Sequence, residues 1–157
     1  MYQQTISCPL GQVQIYATDN GICEIYLGFK TATADRPSVL TKEAARQLAH
    51  YFAGSLTQFN LPLTASGTAF QQQVWRALSA LPFGQTCSYA DIAREIANPK
   101  AVRAVGAANG KNPIAIVVPC HRVIGSNGSL TGYAGGLTNK AWLLEHEYQI
   151  TKNAQDH

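Results

Sequence analysis

Between residues 2 and 28 apolar and polar side chains alternate with the two-residue period of β-strands. Gln3-Gln4-Thr5-Ile6-Ser7 leads into Pro9-Leu10-Gly11, and Val13 and Ile15 then alternate with Gln12 and Gln14. Asp19-Asn20-Gly21 is a hairpin turn signal, and Ile22, Glu24, Ile25 and Tyr26 follow as the returning strand. Polar residues 30–38 read as a loop. Thr41 is the expected cap of a helix carrying Ala44, Ala45, Leu48, Tyr51 and Phe52 at helical spacing and ending at Gly54. Residues 55–66, with Pro62 and small polar side chains, read as a linker.

From Thr68 the period changes to that of helices. Phe70, Val74, Trp75, Leu78 and Leu81 mark a helix stopped by Pro82-Phe83-Gly84. Ser88 and Asp91 have the spacing of a capping box, and Ile92, Ala93 and Ile96 give the next helix its apolar face. Asn98-Pro99 reads as an N-cap followed by proline at the first helical position, opening a third helix that ends at Gly110. Two short helices this close fit a helix-turn-helix, and equally an ordinary helical hairpin. In the third helix Val102 and Val105 suit a core side. Ala101, Ala104, Gly106 and Ala108 leave the rest nearly bare around Arg103. A helix so stripped can approach another surface closely, and burying a lone arginine unpaired is costly, so this helix is expected to face a groove.

At 157 residues, 46% hydrophobic and 13% charged, the chain holds one domain or two small ones, with core enough to fold without metal or disulfide. The formal charge is only +3, but its distribution is informative. Residues 67–122 carry six basic side chains against two acidic ones, while the first 66 residues balance at four and four. The positive excess sits with the helix pair, as contact with phosphates requires. No apolar run is long enough to span a bilayer and no secretory leader is apparent. Four cysteines without CxxC spacing (Cys8, Cys23, Cys87 and Cys120) are expected to be free thiols in the cytoplasm.

The chemistry concentrates after Ile114-Ala115-Ile116-Val117-Val118, a run expected to be a buried strand ended by Pro119. Cys120, His121 and Arg122 follow. Neighbours in extended backbone point to opposite faces, so His121 reaches the thiol of Cys120 through a bridging water. A helix over 137–148 closes with Glu145-His146-Glu147, where a carboxylate opposes the helix dipole, a breach of local rules that marks function. Thiol, histidine and carboxylate together form a nucleophile, its base and the group that orients the base.

Pro119-Cys120-His121-Arg122-Val123 resembles the active-site signature of the O6-alkylguanine-DNA alkyltransferases. The likeness continues in Gly84 with Ser88-Tyr89, in Asn98 to Gly106, in Asn112-Pro113, in Gly132-Tyr133-Ala134-Gly135-Gly136-Leu137, and in Trp142 to Glu147. Ser7-Cys8-Pro9-Leu10-Gly11 and Asn20-Gly21-Ile22 are similar to the start of the family's N-terminal domain. The match covers nearly the whole chain.

The resemblance implies an α+β fold: a small N-terminal β-sheet plus helix domain, ribonuclease H-like, over residues 1–62, then a mostly helical domain over 67–150 with a helix-turn-helix of winged-helix type, and a tail at 151–157. It implies direct reversal of O6-alkylguanine, and of O4-alkylthymine, in double-stranded DNA by irreversible transfer to Cys120, once per molecule. His121 is then the water-mediated base, Glu147 its orienter, and Asn112 the brace of the active-site turn. Tyr133 and the backbone at Val123 and Ala134 read the extruded guanine. Tyr89, Arg103, Ala101, Ala104 and Arg122 contact DNA, the small-residue helix entering the minor groove and Arg103 replacing the flipped base. A monomer without cofactor is expected. Some relatives carry a structural zinc, but Thr18 stands where a ligand would be needed beside Cys23, and Cys8 is alone, so no metal is expected. A cysteine hydrolase shares the Cys-His-Glu set, and a helix-turn-helix transcription factor shares the basic helices. Turnover beyond one equivalent or preference for a sequence over a lesion distinguishes them.

Overall fold

The computed structural model describes residues 1–155, which divide into two compact units. The first contains Met1–Ser66 and Pro113–Ala115, the second Gly67–Asn112 and the chain from Ile116 onward.

The first unit is an antiparallel sheet of β1 (Tyr2–Cys8), β2 (Gly11–Ala17) and β3 (Ile22–Leu27), with α1 (Val39–Ala53) packed on it. Ile6 faces Val13 and Ile15 faces Ile25 across the ladders. Val13, Ile15 and Ala17 are buried along with Ala44, Leu48 and Tyr51 of α1. The alternate residues Gln14 and Tyr16 are buried as well, beneath the 28–33 loop. The Gln14 side chain accepts from the N–H groups of Lys30 and Thr31 and donates to Thr31 O at 2.8 Å, so a polar residue on this face holds the loop rather than facing solvent.

Two expectations change in this unit. Ser38 rather than Thr41 caps α1; Thr41 is the third helical residue, and its hydroxyl returns the hydrogen bond in a capping box. The 55–66 segment is anchored rather than a free linker. Ile22 N–H donates to Pro62 O at 2.8 Å and Thr64 N–H to Ile22 O at 2.9 Å. Three residues later on β3, Ile25 bonds Pro113 O and Ala115 N–H in the same manner.

The second unit is mostly helical: α2 (Ala69–Ser79), α3 (Tyr89–Glu95), α4 (Val102–Gly110) and α5 (Leu137–Gln155). A short parallel ladder joins β4 (Cys87–Ser88) to β5 (Val123–Ile124). Capping boxes at Thr68/Gln71 and Ser88/Asp91 start α2 and α3. Val74, Trp75 and Leu78 bury the inner face of α2, and Trp75 Nε1 donates to Ala108 O at 2.9 Å, fastening α2 to α4. Asn98-Pro99 does not open α4. Those residues form a turn, closed by Ala101 N–H on Asn98 O, and the helix begins at Val102. Ala97 just before them takes a left-handed φ of 59°, which breaks the chain direction ahead of the proline. Val105 is buried, but Val102 is exposed, contrary to the expected core side.

Residues 114–118 are not a strand. Only Ile114 makes a β-bridge, to Ile25; residues 115–117 turn, and Ile116 sits at φ 72°. A β-branched residue in the left-handed region is strained by about 1–3 kcal/mol, which the surrounding structure must over-determine. The last helix also runs past residue 148 to Gln155, since neither glycine nor proline interrupts Tyr148 to Gln155. The expected tail is therefore helical through residue 155, and the expectation for residues 156–157 lies outside the described residues.

Candidate active site

Pro119 ends the strained turn, and Cys120–Arg122 follow as a single 3-10 turn leading into β5. Asn112 Nδ2 donates to Val118 O at 2.9 Å, which ties the segment just after α4 to the turn just before the cysteine. Cys120 is 4% exposed and His121 is fully buried. Burial pushes the Cys120 thiol above its ordinary pKa, while a hydrogen bond with Asn112 and the charge of Lys140 pull the other way. At rest the nucleophile is therefore a neutral thiol.

Glu147 lies in the middle of α5, not at its end, so the helix dipole is not what distinguishes it. Its burial does. Its Oε2 accepts from His121 Nε2 at 2.7 Å and from Arg122 Nη2 at 3.1 Å; its Oε1 accepts from Arg122 Nε at 2.8 Å and from the Gly84 N–H at 3.1 Å. Burial alone would raise this carboxyl, but the hydrogen bonds and charges of His121 and Arg122 outweigh it and hold it well below the usual carboxylate range. An ionised carboxylate only accepts, so His121 Nε2 carries the proton and Nδ1 keeps its lone pair. Nδ1 is buried and has no hydrogen-bond partner among the described residues. Burial lowers the His121 pKa, against the opposing pull of Glu147, so the ring is neutral near pH 7. A neutral imidazole with its tautomer fixed and its free nitrogen unpaired is a base awaiting a proton.

Arg122 does not reach solvent. It is 5% exposed, it forks onto Glu147, donates from Nη1 to Leu81 O at 2.7 Å, and lies over the Phe83 ring. Arg122, expected at the DNA, thus spends its charge on Glu147 inside the protein. Gly84 takes φ 79° to present its N–H to Glu147, and a Cβ there would collide with Thr151.

The remaining expected residues fall around this centre or on the outer helix. Arg103 and Ala104 are exposed on α4 and Ala101 is half-buried at its start. The Tyr89 ring lies about 4 Å from the position a Gly106 Cβ would occupy, and its hydroxyl pairs with Thr131 Oγ1 at 2.6 Å. The Tyr133 hydroxyl is buried and without a hydrogen-bond partner among the described residues, and burial raises its pKa well above the ordinary value. Ala134 is exposed, and Val123 O accepts from Lys140. Lys140 itself escaped the sequence reading: a lysine in the first turn of a helix looks like surface, yet this one is fully buried. No cluster of three or more His, Cys, Asp or Glu able to hold a metal exists among the described residues.

A thiol beside an oriented base, in one unit with the short helices α3 and α4, defines a class of protein equipped for covalent chemistry at a cysteine. Family models for 6-O-methylguanine DNA methyltransferase match both parts of the chain, the ribonuclease-like domain over residues 1–65 and the DNA-binding domain over residues 69–149. The chain belongs to that family. The methylated-DNA–protein-cysteine methyltransferase of Methanosarcina acetivorans is 46% identical over 155 residues, covering 94% of this chain and 98% of that one. The constitutive methylated-DNA–protein-cysteine methyltransferase of Bacillus subtilis is 46% identical over 158 residues, covering 93% and 94%. The fold superposes on a crystal structure of Mycobacterium tuberculosis OGT in complex with DNA with a TM-score of 0.88 at 44% identity, covering 96% and 94% of the two chains.

Proposed function

We propose that this protein repairs DNA by transferring the alkyl group of O6-alkylguanine, and of O4-alkylthymine, to Sγ of its own Cys120. Family membership supports the class of reaction, as do relatives named for methylated-DNA–protein-cysteine methyl transfer. The observation that carries the assignment to Cys120 is the His121–Glu147 pair at 2.7 Å, which leaves Nδ1 bare one residue from a buried thiol.

In the proposed reaction His121 Nδ1 takes the thiol proton through water. The thiolate then attacks the alkyl carbon in line with the bond to O6. The C–O bond breaks as the C–S bond forms, and the electron pair leaves on guanine, which receives a proton equivalent to the one the thiol lost. That proton is the one His121 took up, returned through water, while the Tyr133 hydroxyl, without a partner among the described residues, donates a hydrogen bond to the leaving base, with the backbone at Val123 and Ala134 on its other edges. Asn112 holds the turn. The product is a thioether that water does not cleave, so each molecule acts once.

The burial of Cys120 supports extrusion of the target base, since a thiol inside the protein cannot reach a base inside a duplex. Arg103, Ala101 and Ala104 suit a helix that enters the minor groove, with Arg103 filling the place of the flipped base and Tyr89 against the target phosphate. The partner is double-stranded DNA and the protein acts as a monomer. No helix among the described residues is long and apolar enough to cross a membrane, and four free cysteines fit the reducing cytoplasm.

The test is intact mass after incubation with excess duplex containing O6-methylguanine. One added CH2 per chain, confined to the Cys120 peptide, is expected. A methyl on another cysteine, or more guanines repaired than protein molecules present, overturns the proposal.

A further inference from the structure

The loop that leaves the site at β5 returns to the junction it started from. Ile124 pairs with Ser88 in the β4–β5 ladder, and Thr131, at the far end of the loop, meets Tyr89, the residue after Ser88 and the first of α3. The contact is between two hydroxyls, Thr131 Oγ1 and Tyr89 Oη, at 2.6 Å, the short end of the O–H···O range. Thr131 is itself anchored from behind, since its carbonyl accepts from the buried Lys140 Nζ at 3.0 Å. The Tyr89 ring passes beside Gly106 of α4, about 4 Å from where a Cβ would stand. One aromatic ring is thus set against a bare stretch of helix along its side and held by a single hydroxyl at its tip. Both residues are half-buried, so the tip of the ring stays within reach of a ligand.

We propose that Thr131 is a positioning residue for repair of duplex DNA: its hydroxyl donates to Tyr89 Oη, fixes the phenol, and leaves the Tyr89 proton for the target phosphate. The inference rests on the reading of Tyr89 as a phosphate contact and adds the residue through which that contact is aimed. The direction of the hydrogen bonds follows from which groups can donate. Phosphate oxygens only accept, so a tyrosine hydroxyl that meets one must donate to it. Its oxygen is then left to accept, and a threonine hydroxyl, free to rotate, supplies the donor. The result is a chain running one way, from Thr131 to Tyr89 to phosphate, in which each bond polarises the next. Before DNA arrives the same pair already holds the ring, so less side-chain freedom is lost on binding. A free base carries no phosphate and leaves this chain unused.

The experiment measures single-turnover transfer to Cys120 from duplex O6-methylguanine and from free O6-benzylguanine. It compares the unsubstituted chain with Thr131→Val, Thr131→Ser, Tyr89→Phe and the double variant Tyr89→Phe/Thr131→Val. Valine keeps the shape of threonine without its hydroxyl; serine keeps the hydroxyl. Thr131→Val should repair the duplex roughly fivefold more slowly, the worth of one hydrogen bond, and react with the free base at the parent rate. Thr131→Ser should restore duplex repair. The double variant should be no slower than Tyr89→Phe alone, because the two hydroxyls act as one. Equal loss on both substrates would mean that Thr131 only holds the loop carrying Tyr133, and overturns the proposal. So does Thr131→Ser as slow as Thr131→Val, or losses that multiply in the double variant. A slow Tyr89→Phe beside a normal Thr131→Val overturns the proposal and leaves Tyr89 as the phosphate contact. A Tyr89→Phe that repairs the duplex at the parent rate removes that contact, and the proposal with it. Reaction with the free base shows that each variant is folded. Should Thr131→Val fail to fold, Thr131→Ala takes its place with the same outcomes expected.

Discussion

Replacing Glu147 by glutamine changes one atom and removes one charge from the most connected side chain of the site. The carboxylate accepts four N–H groups on two oxygens, from His121, from Arg122 twice, and from Gly84. An amide keeps one accepting oxygen and turns the other into a donor. If the oxygen stays with Arg122 Nε and Gly84, the new NH2 faces His121 Nε2, which must then accept and move its proton to Nδ1. The ring remains, but its basic nitrogen is gone. Loss of a positioned base costs roughly 100- to 10,000-fold in rate. Arg122 is also left without a counter-charge at 5% exposure, and breaking a buried ion pair from one side costs about 3–5 kcal/mol. For a chain of this length that corresponds to a fall in Tm on the order of 10 °C. The sign with pH follows from the same carboxyl. Its folded-state pKa is depressed, so its contribution to stability is present above the ordinary carboxylate pKa of about 4.3 and is lost as pH falls through the folded value. Glu147→Gln should therefore melt lower at pH 7 and lose less stability than the parent on acidification below about pH 4.3. The assay is single-turnover transfer from duplex O6-methylguanine, with binding to the same duplex and thermal melting measured in parallel. A variant that melts lower but transfers within threefold of the parent would make Glu147 a structural carboxylate and refute the base-orienting argument.

Arg103→Ala should slow repair of duplex DNA far more than reaction with free O6-benzylguanine, because only the duplex requires a base to be extruded; equal loss on both substrates refutes the role of Arg103. Cys120→Ser should abolish transfer while still binding the lesion-bearing duplex, as a hydroxyl is a much weaker nucleophile than a thiolate; residual methylation of Cys8, Cys23 or Cys87 in that variant would be the contrary result. His121 has a folded pKa depressed by burial, so its stabilising contribution is present above about 6.5, where the unfolded chain is also neutral, and is lost as pH falls through the folded value. The acid limb of the transfer rate should accordingly lie below about pH 6.5, and a midpoint above that value in a pH–rate profile refutes a neutral buried base. Increasing salt should weaken duplex binding steeply without changing the rate on the free base, since phosphates supply the electrostatic part of the affinity.

What was legible in the chain was what local chemistry decides. Two-residue alternation and Asn20-Gly21 specify the hairpin, and Thr68/Gln71 and Ser88/Asp91 specify helix starts, because a capping box is complete within four residues. The misreadings share a different cause. Ile114 to Val118 is an apolar run, and burial alone does not distinguish a strand from a buried turn; the left-handed φ at Ile116 has no apolar signature. The ion pair of Arg122 went unread because sequence displays a charge and not its partner, and that partner is a residue 25 positions away. Glu147 attracts notice by an apparent helix end, whereas the helix continues and its true mark is enclosure by four donors. Lys140 carries no local mark at all. Its environment is assembled from carbonyls 9 and 17 residues upstream, which only the fold brings together.

The charges of the site account for both its readiness and the single use proposed for it. At rest one ion pair, Arg122 with Glu147, is internally satisfied, one cation, Lys140, is held by carbonyls, and the reacting thiol and imidazole are neutral. In the proposed reaction, proton transfer from Cys120 to His121 creates two new charges at once. The imidazolium forms against Glu147, an opposite charge already fixed in place, so little has to reorganise around it. Alkylation then removes the thiolate and the leaving guanine takes up the proton, which restores every charge of the resting state. The protonation state of His121 is recovered, but the thiol is not. Regeneration would require a second nucleophile aimed at the new S–C bond. The groups around Cys120 do not supply one: the Glu147 carboxylate is saturated by four donors, and Lys140 has its ammonium bound to two carbonyls. A site with this charge pattern can be reset electrostatically and still be chemically spent.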